Sequence, residues 1–232
     1  MRAIILAGGL GTRFAEETHD KPKPMIKIGN STLIEHIMNI YSLSGITEFI
    51  IATGYKGEII RNYFKEYEKF KITCIDTGQE TQTGGRIKRI LEAVSDPVVS
   101  VTYGDGLGNV PVKKVLQFHN DHKKLATVTA VRPPARFGRL VIDHDQVLKF
   151  GEKLQSEEGW INGGFFVLNR EVKDFINGDG DPFETSPLSK ITELGELMAY
   201  KHEGFWAPVD TLREKIDLEK LLDSGNPPWL KL

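Results

Sequence analysis

The chain has 232 residues, of which 27% are charged, and its formal net charge at neutral pH is −2. This balance excludes the broad positive field of a nucleic-acid-binding protein, and no apolar run reaches the roughly 20 residues that a membrane span requires. The single cysteine, Cys74, excludes an internal disulfide and favours a cytoplasmic location. We therefore expect one domain over residues 1–232, with neither nucleic acid nor a membrane as a partner.

The first half of the chain alternates apolar strands with amphipathic helices. Continuous β-branched runs predict buried strands at residues 2–6, 48–53, 71–75, 98–103 and 126–131. Apolar residues at helical spacing predict helices that carry stripes at 34–41, 59–64, 87–94 and 111–122. Thr32 and Glu35 form a capping box before the first of these helices. This alternation is typical of a parallel sheet covered on both faces, with ligands at the carboxyl ends of its strands.

The second half differs in pattern. Residues 139–150 predict a β-hairpin and 161–169 a further strand, with helices near 186–195 and 211–223. The predicted fold class is therefore α/β. It is a single Rossmann-like mixed sheet, mainly parallel, with helices on both faces and a small antiparallel elaboration.

A glycine-rich turn follows the first strand, in the sequence AGGLGTRF at residues 7–14. Such turns bring backbone N–H groups close to phosphate, because no side chain blocks the approach. A dinucleotide fingerprint fails here, since Phe14 stands where a small residue is needed, and no Walker-type loop occurs. The turn is either a phosphate-binding turn of another kind or a tight structural turn beside positive charge.

Three charged residues are candidates for chemistry at this edge. Lys23 lies between Pro22 and Pro24, which restrict its backbone and prevent a long helix. Asp105 follows the strand at 98–103, and Asp210 precedes the helix near 211–223. Each aspartate has a structural alternative, as a turn residue or as an acid at a helix N-terminus. Two such carboxylates, when they converge, suit Mg²⁺ together with phosphates and water.

These letters resemble a known family, the sugar-1-phosphate nucleotidylyltransferases. The resemblance rests on LAGGLGTR…KPKPM at 6–25, TGGRIKR at 83–89, YGDG at 103–106, GEK at 151–153, INGGFFVLN at 161–169 and GFWAPVDTLREK at 204–215. Within the family the chain is most similar to the cytidylyltransferases that act on glucose 1-phosphate. The resemblance implies the nucleotide-diphospho-sugar transferase type of fold, with a nucleotide-binding half at about 1–125 and a sugar-phosphate-binding half at about 126–232.

The resemblance also implies roles for individual residues. The nucleotide would be bound by Leu6, Ala7, Gly8, Gly9, Gly11, Thr12, Arg13, Lys23, Thr83, Gly84, Arg86 and Gly104. Arg13, Lys23, Asp105 and Asp210 would be catalytic, and the two aspartates would hold Mg²⁺. Glu152, Lys153 and Asn162 would bind the sugar and its phosphate.

The implied reaction transfers a cytidylyl group from CTP to a sugar 1-phosphate and releases pyrophosphate. Two like charges 4 Å apart repel by about 4 kcal/mol at an effective dielectric of 20, so in-line attack on the α-phosphorus needs cations. Mg²⁺, Arg13 and Lys23 would supply them, without a covalent enzyme intermediate. Arg86 is the candidate donor to N3 or O2 of cytosine, in a base-reading loop that contains Thr83 and Gly84.

Two departures from the family pattern bear on the acceptor and on assembly. The family's insertion before the TGGR loop is short here, and its E-K-P motif reads Glu152-Lys153-Leu154. We expect a homo-oligomer, as the family implies. The alternatives are a nucleotidylyltransferase that acts on another phosphorylated acceptor, and a non-catalytic relative that binds nucleotide sugars. Retention of Arg13, Lys23 and both aspartates argues against the second.

Overall fold

The computed structural model describes residues 1–132, 139–151 and 159–231. The strands are β1 (Ala3–Ala7), β2 (Lys27–Ile28), β3 (Ser31–Thr32), β4 (Glu48–Thr53), β5 (Lys71–Asp76), β6 (Val98–Tyr103), β7 (Gly106–Gly108), β8 (Ala126–Val131), β9 (Arg139–Asp143), β10 (Gln146–Gly151), β11 (Ile161–Asn162), β12 (Phe166–Asn169), β13 (Leu197–His202) and β14 (Trp206–Pro208). The α-helices are α1 (Ala15–Thr18), α2 (Leu33–Ser42), α3 (Gly57–Phe64), α4 (Thr83–Ala93), α5 (Val112–His122), α6 (Ser186–Glu193) and α7 (Leu212–Asp223). Short 3₁₀ turns cover Thr12–Phe14, Lys23–Met25, Arg170–Phe175 and Pro228–Leu230.

The main sheet has the strand order β11-β8-β12-β6-β1-β4-β5, and β13 also pairs with β8. Strands β6, β1, β4 and β5 are parallel to one another, and so are β13 and β8. Strand β12 runs antiparallel to both β6 and β8 and joins the two parallel parts. The predicted α/β class is therefore confirmed, as a mixed and mainly parallel sheet.

Alternation along the central strand separates the two halves of the core. Ala3, Ile5 and Ala7 of β1 lie in one buried cluster, which includes the apolar face of α2. Ile4 and Leu6 of the same strand lie in the other cluster, with the apolar residues of α4. Because successive side chains of a strand point to opposite faces, a fully apolar strand is what a two-sided cover requires.

Helix α2 begins as the sequence predicts. The Thr32 hydroxyl accepts a hydrogen bond from Glu35 N, and the Glu35 carboxylate accepts one from Thr32 N. At α7 only half of such a capping box forms, since the Thr211 hydroxyl accepts from Glu214 N while the Glu214 carboxylate accepts from Asp210 N instead. That second bond fixes the backbone of Asp210, one of the candidate site residues.

Two parts of the sheet differ from the sequence-based prediction. The strand expected at 161–169 is two strands, β11 and β12, because Gly164 and Phe165 between them have positive φ angles. Gly163 allows the chain to pass close to β8, since a Cβ atom there would meet Val131 Cγ1 at 2.5 Å. Strand β13 was missed, although its register with β8 runs continuously from Leu197 to His202.

Among the helices of the described residues, none has both the length and the apolar character that crossing a bilayer demands.

Candidate active site

A cavity of about 630 Å³ opens at the carboxyl ends of β1 and β6. Its walls come from the glycine turn after β1, the turn at Lys23–Met25, the segment that leads into α4, the end of β6, the β11 and β14 region, and Glu184 before α6. The lining residues are Leu6, Ala7, Gly8, Gly9, Leu10, Gly11, Thr12, Lys23, Pro24, Gln79, Glu80, Thr81, Gln82, Thr83, Arg86, Thr102, Tyr103, Gly104, Asp105, Gly106, Asn162, Gly163, Glu184, Trp206, Pro208 and Asp210.

Lys23 lies between the two candidate aspartates. Its Nζ donates to Asp105 Oδ2 at 2.6 Å and to Asp210 Oδ1 at 2.5 Å. The lysine side chain is buried, whereas Asp105 and Asp210 are partly exposed. The three residues are distant in sequence, so it is the tertiary fold that places the lysine ammonium between the two carboxylates.

Local structure explains the convergence. The residues from Lys23 to Met25 form a single 3₁₀ turn, closed by a bond from Ile26 N to Lys23 O at 3.0 Å. The two flanking prolines therefore permit one tight turn where the sequence predicts only that no long helix forms. Gly104 lets this turn approach β6, because a Cβ atom there would lie 2.8 Å from Pro24 Cγ.

A small ladder brings the two aspartates together. Strand β7 follows Asp105, strand β14 precedes Asp210, and the two strands pair antiparallel. A further bond runs from Val209 N to Asp105 O at 2.8 Å. Asp210 is thus a member of the cavity wall in addition to being an acid at the start of α7.

Arg86 is a buried connector of three backbone segments. Its Nη1 donates to Thr53 O, Thr77 Oγ1 and Gly78 O, and its Nη2 donates to Gly8 O and Gln79 O, at 2.6–3.3 Å. The residue is only 3% exposed. These bonds occupy the terminal nitrogens, so the guanidinium joins the glycine turn to the segment that leads into α4. Burial lowers the pKa of Arg86.

The glycine turn has a structural role that its pattern did not indicate. A Cβ atom on Gly8 would lie 2.1 Å from Arg86 Nη1, so only glycine leaves room for the guanidinium. Beside Gly9, in contrast, the space is open. The missing side chain at Gly8 therefore makes room for Arg86, whereas the backbone at Gly9 faces open space.

The start of α4 faces another segment of the protein. A Cβ atom on Gly84 would lie 2.6 Å from Asp181 O, and Gly84 does not line the cavity. The Thr83 hydroxyl donates to Glu184 Oε2 at 2.6 Å and accepts from Phe183 N at 2.8 Å. The base-reading contacts expected of these two residues remain predictions.

Most residues predicted for the site lie together around the cavity. Asn162 is among them, and its amide nitrogen donates to the Tyr103 hydroxyl at 2.9 Å. Glu152, Lys153 and the side chain of Arg13 fall outside the described part of the structure. The sequence reasoning missed several residues that the cavity includes, among them Gln79, Glu80, Tyr103, Glu184 and Trp206. Several of these stand inside or beside the quoted motifs, but Glu184 does not and had no local signal.

Comparisons with known proteins identify the family of the chain. The sequence pattern of the nucleotidyl transferase family matches residues 2–222. The chain is 46% identical to a glucose-1-phosphate cytidylyltransferase of Salmonella typhi, with 99% of this chain and 98% of that protein covered. It is 38% identical to a probable glucose-1-phosphate cytidylyltransferase of Bacillus subtilis, with 99% of each covered.

A solved structure shares the fold. The crystal structure of HddC from Yersinia pseudotuberculosis, complexed with GMP-PN, superposes with a TM-score of 0.77 at 26% identity. The match covers 95% of this chain and 99% of that one. The alignment with the Salmonella protein spans 253 positions against 232 residues here, so that relative carries residues that this chain lacks. Because the family pattern matches residues 2–222 and a relative at 46% identity aligns over nearly the full length of both proteins, the chain belongs to the nucleotidyl transferase family.

Proposed function

We propose that the protein transfers the cytidylyl group of CTP to α-D-glucose 1-phosphate and so forms CDP-glucose and pyrophosphate. An oxygen of the sugar phosphate attacks the α-phosphorus, and the bond from that phosphorus to the β-phosphate bridging oxygen breaks. The named activity of the Salmonella relative, at 46% identity over nearly both full lengths, supports the choice of substrates. The observation that carries the chemistry is the buried Lys23 between Asp105 and Asp210 beside the glycine turn.

The residues around Lys23 fit a divalent cation. Oxygens of Asp105 and Asp210 both lie within 2.6 Å of one ammonium nitrogen, so the two carboxylates converge on a single positive centre. Mg²⁺ prefers few carboxylates, with its other positions left to phosphate and water. The described ranges contain no cluster of three or more acidic, histidine or cysteine side chains that suits a metal. The convergence of the two carboxylates is what makes this pair the candidate. Bound Mg²⁺ would neutralise charge on the reacting phosphates.

The protein's own groups would bind and orient the triphosphate. The open backbone near Gly9 suits phosphate oxygens, and Arg13 follows in the same turn. Lys23 would contact the α-phosphate at the point where the sugar phosphate arrives. A positioned cation that stabilises charge developing in the transition state is worth about 3–4 kcal/mol.

The base would be read by the segment from Gln79 to Gln82, which lines the cavity. Arg86 bonds the Gln79 carbonyl at one end of this segment and the Gly8 carbonyl on the triphosphate side. It would therefore set the distance between the site of the base and the site of the phosphates. UTP would be rejected because polar groups of the protein that are placed to bond cytosine would be left without a partner beside uracil.

A matrix of nucleotides and sugar phosphates tests the proposal. The four nucleoside triphosphates are each combined with glucose 1-phosphate, mannose 1-phosphate and galactose 1-phosphate, with Mg²⁺ present or removed, and pyrophosphate release is measured. We expect the highest kcat/KM for CTP with glucose 1-phosphate, and no turnover without a divalent cation. Equal use of UTP and CTP would contradict the assignment of cytosine as the base. A higher kcat/KM with another sugar phosphate would favour a nucleotidylyltransferase that acts on that acceptor. Self-association and a cytoplasmic location stay predictions.

A further inference from the structure

Glu184 is a carboxylate on the cavity wall that has no part in the reaction described above. It lies between the 3₁₀ turn at Arg170–Phe175 and α6, and it is exposed. Its Oε1 accepts from the Tyr103 hydroxyl and its Oε2 from the Thr83 hydroxyl, each at 2.6 Å. The carboxylate is thus held from two sides, by β6 and by the start of α4.

The hydrogen bonds continue into the sugar-phosphate side of the cavity. Asn162 on β11 donates to the Tyr103 hydroxyl at 2.9 Å, and its own oxygen accepts from Gly164 N at 2.9 Å. The Tyr103 hydroxyl accepts from Asn162 and therefore spends its single hydrogen on Glu184. Burial, with Glu184 as a smaller cause, raises the pKa of Tyr103, so the phenol stays protonated as this donor.

The chemistry of Glu184 limits what it binds. An ionised carboxylate has about four acceptor positions, and the two hydroxyls use two of them. It repels phosphate, so its partner must be an uncharged or cationic donor. Ring hydroxyls of a hexose are donors of this kind, and hydrogen bonds to charged groups are among the stronger ones.

The position favours the acceptor sugar over the nucleotide. The Tyr103 hydroxyl that holds the carboxylate also bonds Asn162, a residue expected to bind the sugar and its phosphate. Trp206 lies beside Asn162 on the cavity wall, because its Nε1 donates to Gly163 O at 3.0 Å. The glycine turn, which is suited to the triphosphate, also lines the cavity. A sugar whose phosphate reaches Lys23 would extend its hydroxyls toward this wall.

We propose that Glu184 accepts a hydrogen bond from a ring hydroxyl of the acceptor hexose, and that Tyr103 and Thr83 orient it for this contact. The inference rests on the proposed function and names a residue that selects the acceptor.

The test combines Glu184→Ala with glucose 1-phosphates that lack the hydroxyl at C2, C3, C4 or C6. With the wild type, one deoxy substrate should lose about tenfold or more in kcat/KM. Glu184→Ala should show a similar loss with glucose 1-phosphate and no further loss with that deoxy substrate. Tyr103→Phe, which removes one of the two orienting bonds, should give a smaller loss with the same hydroxyl dependence. Glu193→Ala, an exposed glutamate on α6, is the matched control and should change nothing.

Three results would overturn the assignment. In one, the losses in kcat/KM caused by the missing hydroxyl and by Glu184→Ala add up when the two changes are combined. Another is an unchanged kcat/KM for glucose 1-phosphate in the variant. The last is a raised KM for CTP with weaker rejection of UTP, which would make Glu184 a reader of the cytosine amino group. Failure of the wild type to form CDP-glucose would instead contradict the proposed function. The deoxy series of whichever acceptor the matrix identifies would then test Glu184.

Discussion

Replacement of Arg86 by alanine should destabilise the whole protein in addition to weakening nucleotide binding. The substitution removes five hydrogen bonds, to acceptors on Gly8, Thr53, Thr77, Gly78 and Gln79. Gly8 O keeps a bond from Tyr55 N, and Thr53 O keeps bonds from Thr77 N and Thr77 Oγ1. At about 1 kcal/mol for each bond, the free energy of unfolding should fall by roughly 5 kcal/mol. For a chain of this size each kcal/mol lowers Tm by about 2–4 °C, so we expect a fall of roughly 10–20 °C.

The assay is thermal unfolding followed by circular dichroism, with CTP and UTP kinetics on the same preparations. Arg89 provides the control, since it lies one turn further along α4 and pairs with Asp179 on the surface. An exposed ion pair contributes about 0–1 kcal/mol, so Arg89→Ala should move Tm by only a few degrees. An unchanged Tm in Arg86→Ala, together with lost discrimination between CTP and UTP, would refute the connector role and favour direct base contact.

The remaining predictions concern the charged residues. Lys23→Ala should lower kcat by about 10²–10³-fold while the fold is retained, as judged by circular dichroism, and wild-type turnover would contradict its role. Asn at position 105 or 210 (Asp105→Asn, Asp210→Asn) should raise the Mg²⁺ concentration needed for half-maximal activity; an unaltered metal dependence in Asp210→Asn would leave that residue only its place at the start of α7. The Arg2 guanidinium lowers the pKa of Asp96, so the pair stabilises the fold above the ordinary carboxyl pKa, and this contribution is lost as the pH falls through the lowered value. Asp96→Asn should therefore be less stable than the wild type at pH 7 in urea unfolding, with a difference that shrinks below about pH 4; a constant difference would exclude this linkage.

Periodicity was a good guide wherever a residue's neighbours in sequence decide its structure. The apolar strand β1 and the capped helix α2 are present as expected, because burial on both faces and local capping act through adjacent residues. The break between β11 and β12 depends on how closely Gly163 approaches Val131. No pattern within residues 161–169 carries that information.

The site shows the same division. Motifs predicted Lys23 and the two aspartates as candidates, and the structure brings them together. The internal hydrogen bonds of Arg86 could not be predicted, because its acceptors come from turns distant in sequence. The sequence alone does not show whether an arginine donates to a nucleotide base or to buried carbonyl groups of the protein. Glu184 had no motif at all, since its partners Thr83 and Tyr103 are 101 and 81 residues away.

The place of β12 in the sheet has a consequence for how the protein folds. This strand comes from the later half of the sequence, yet it lies between β6 and β8 and closes the flank of β6. Trp229 likewise packs onto α2 and donates to His36 Nδ1 across 193 residues. Pairings so distant in sequence raise the contact order, which predicts slow folding. A nascent chain that ends before residue 166 would present β6 as an open apolar edge, which is a template for pairing with a second copy.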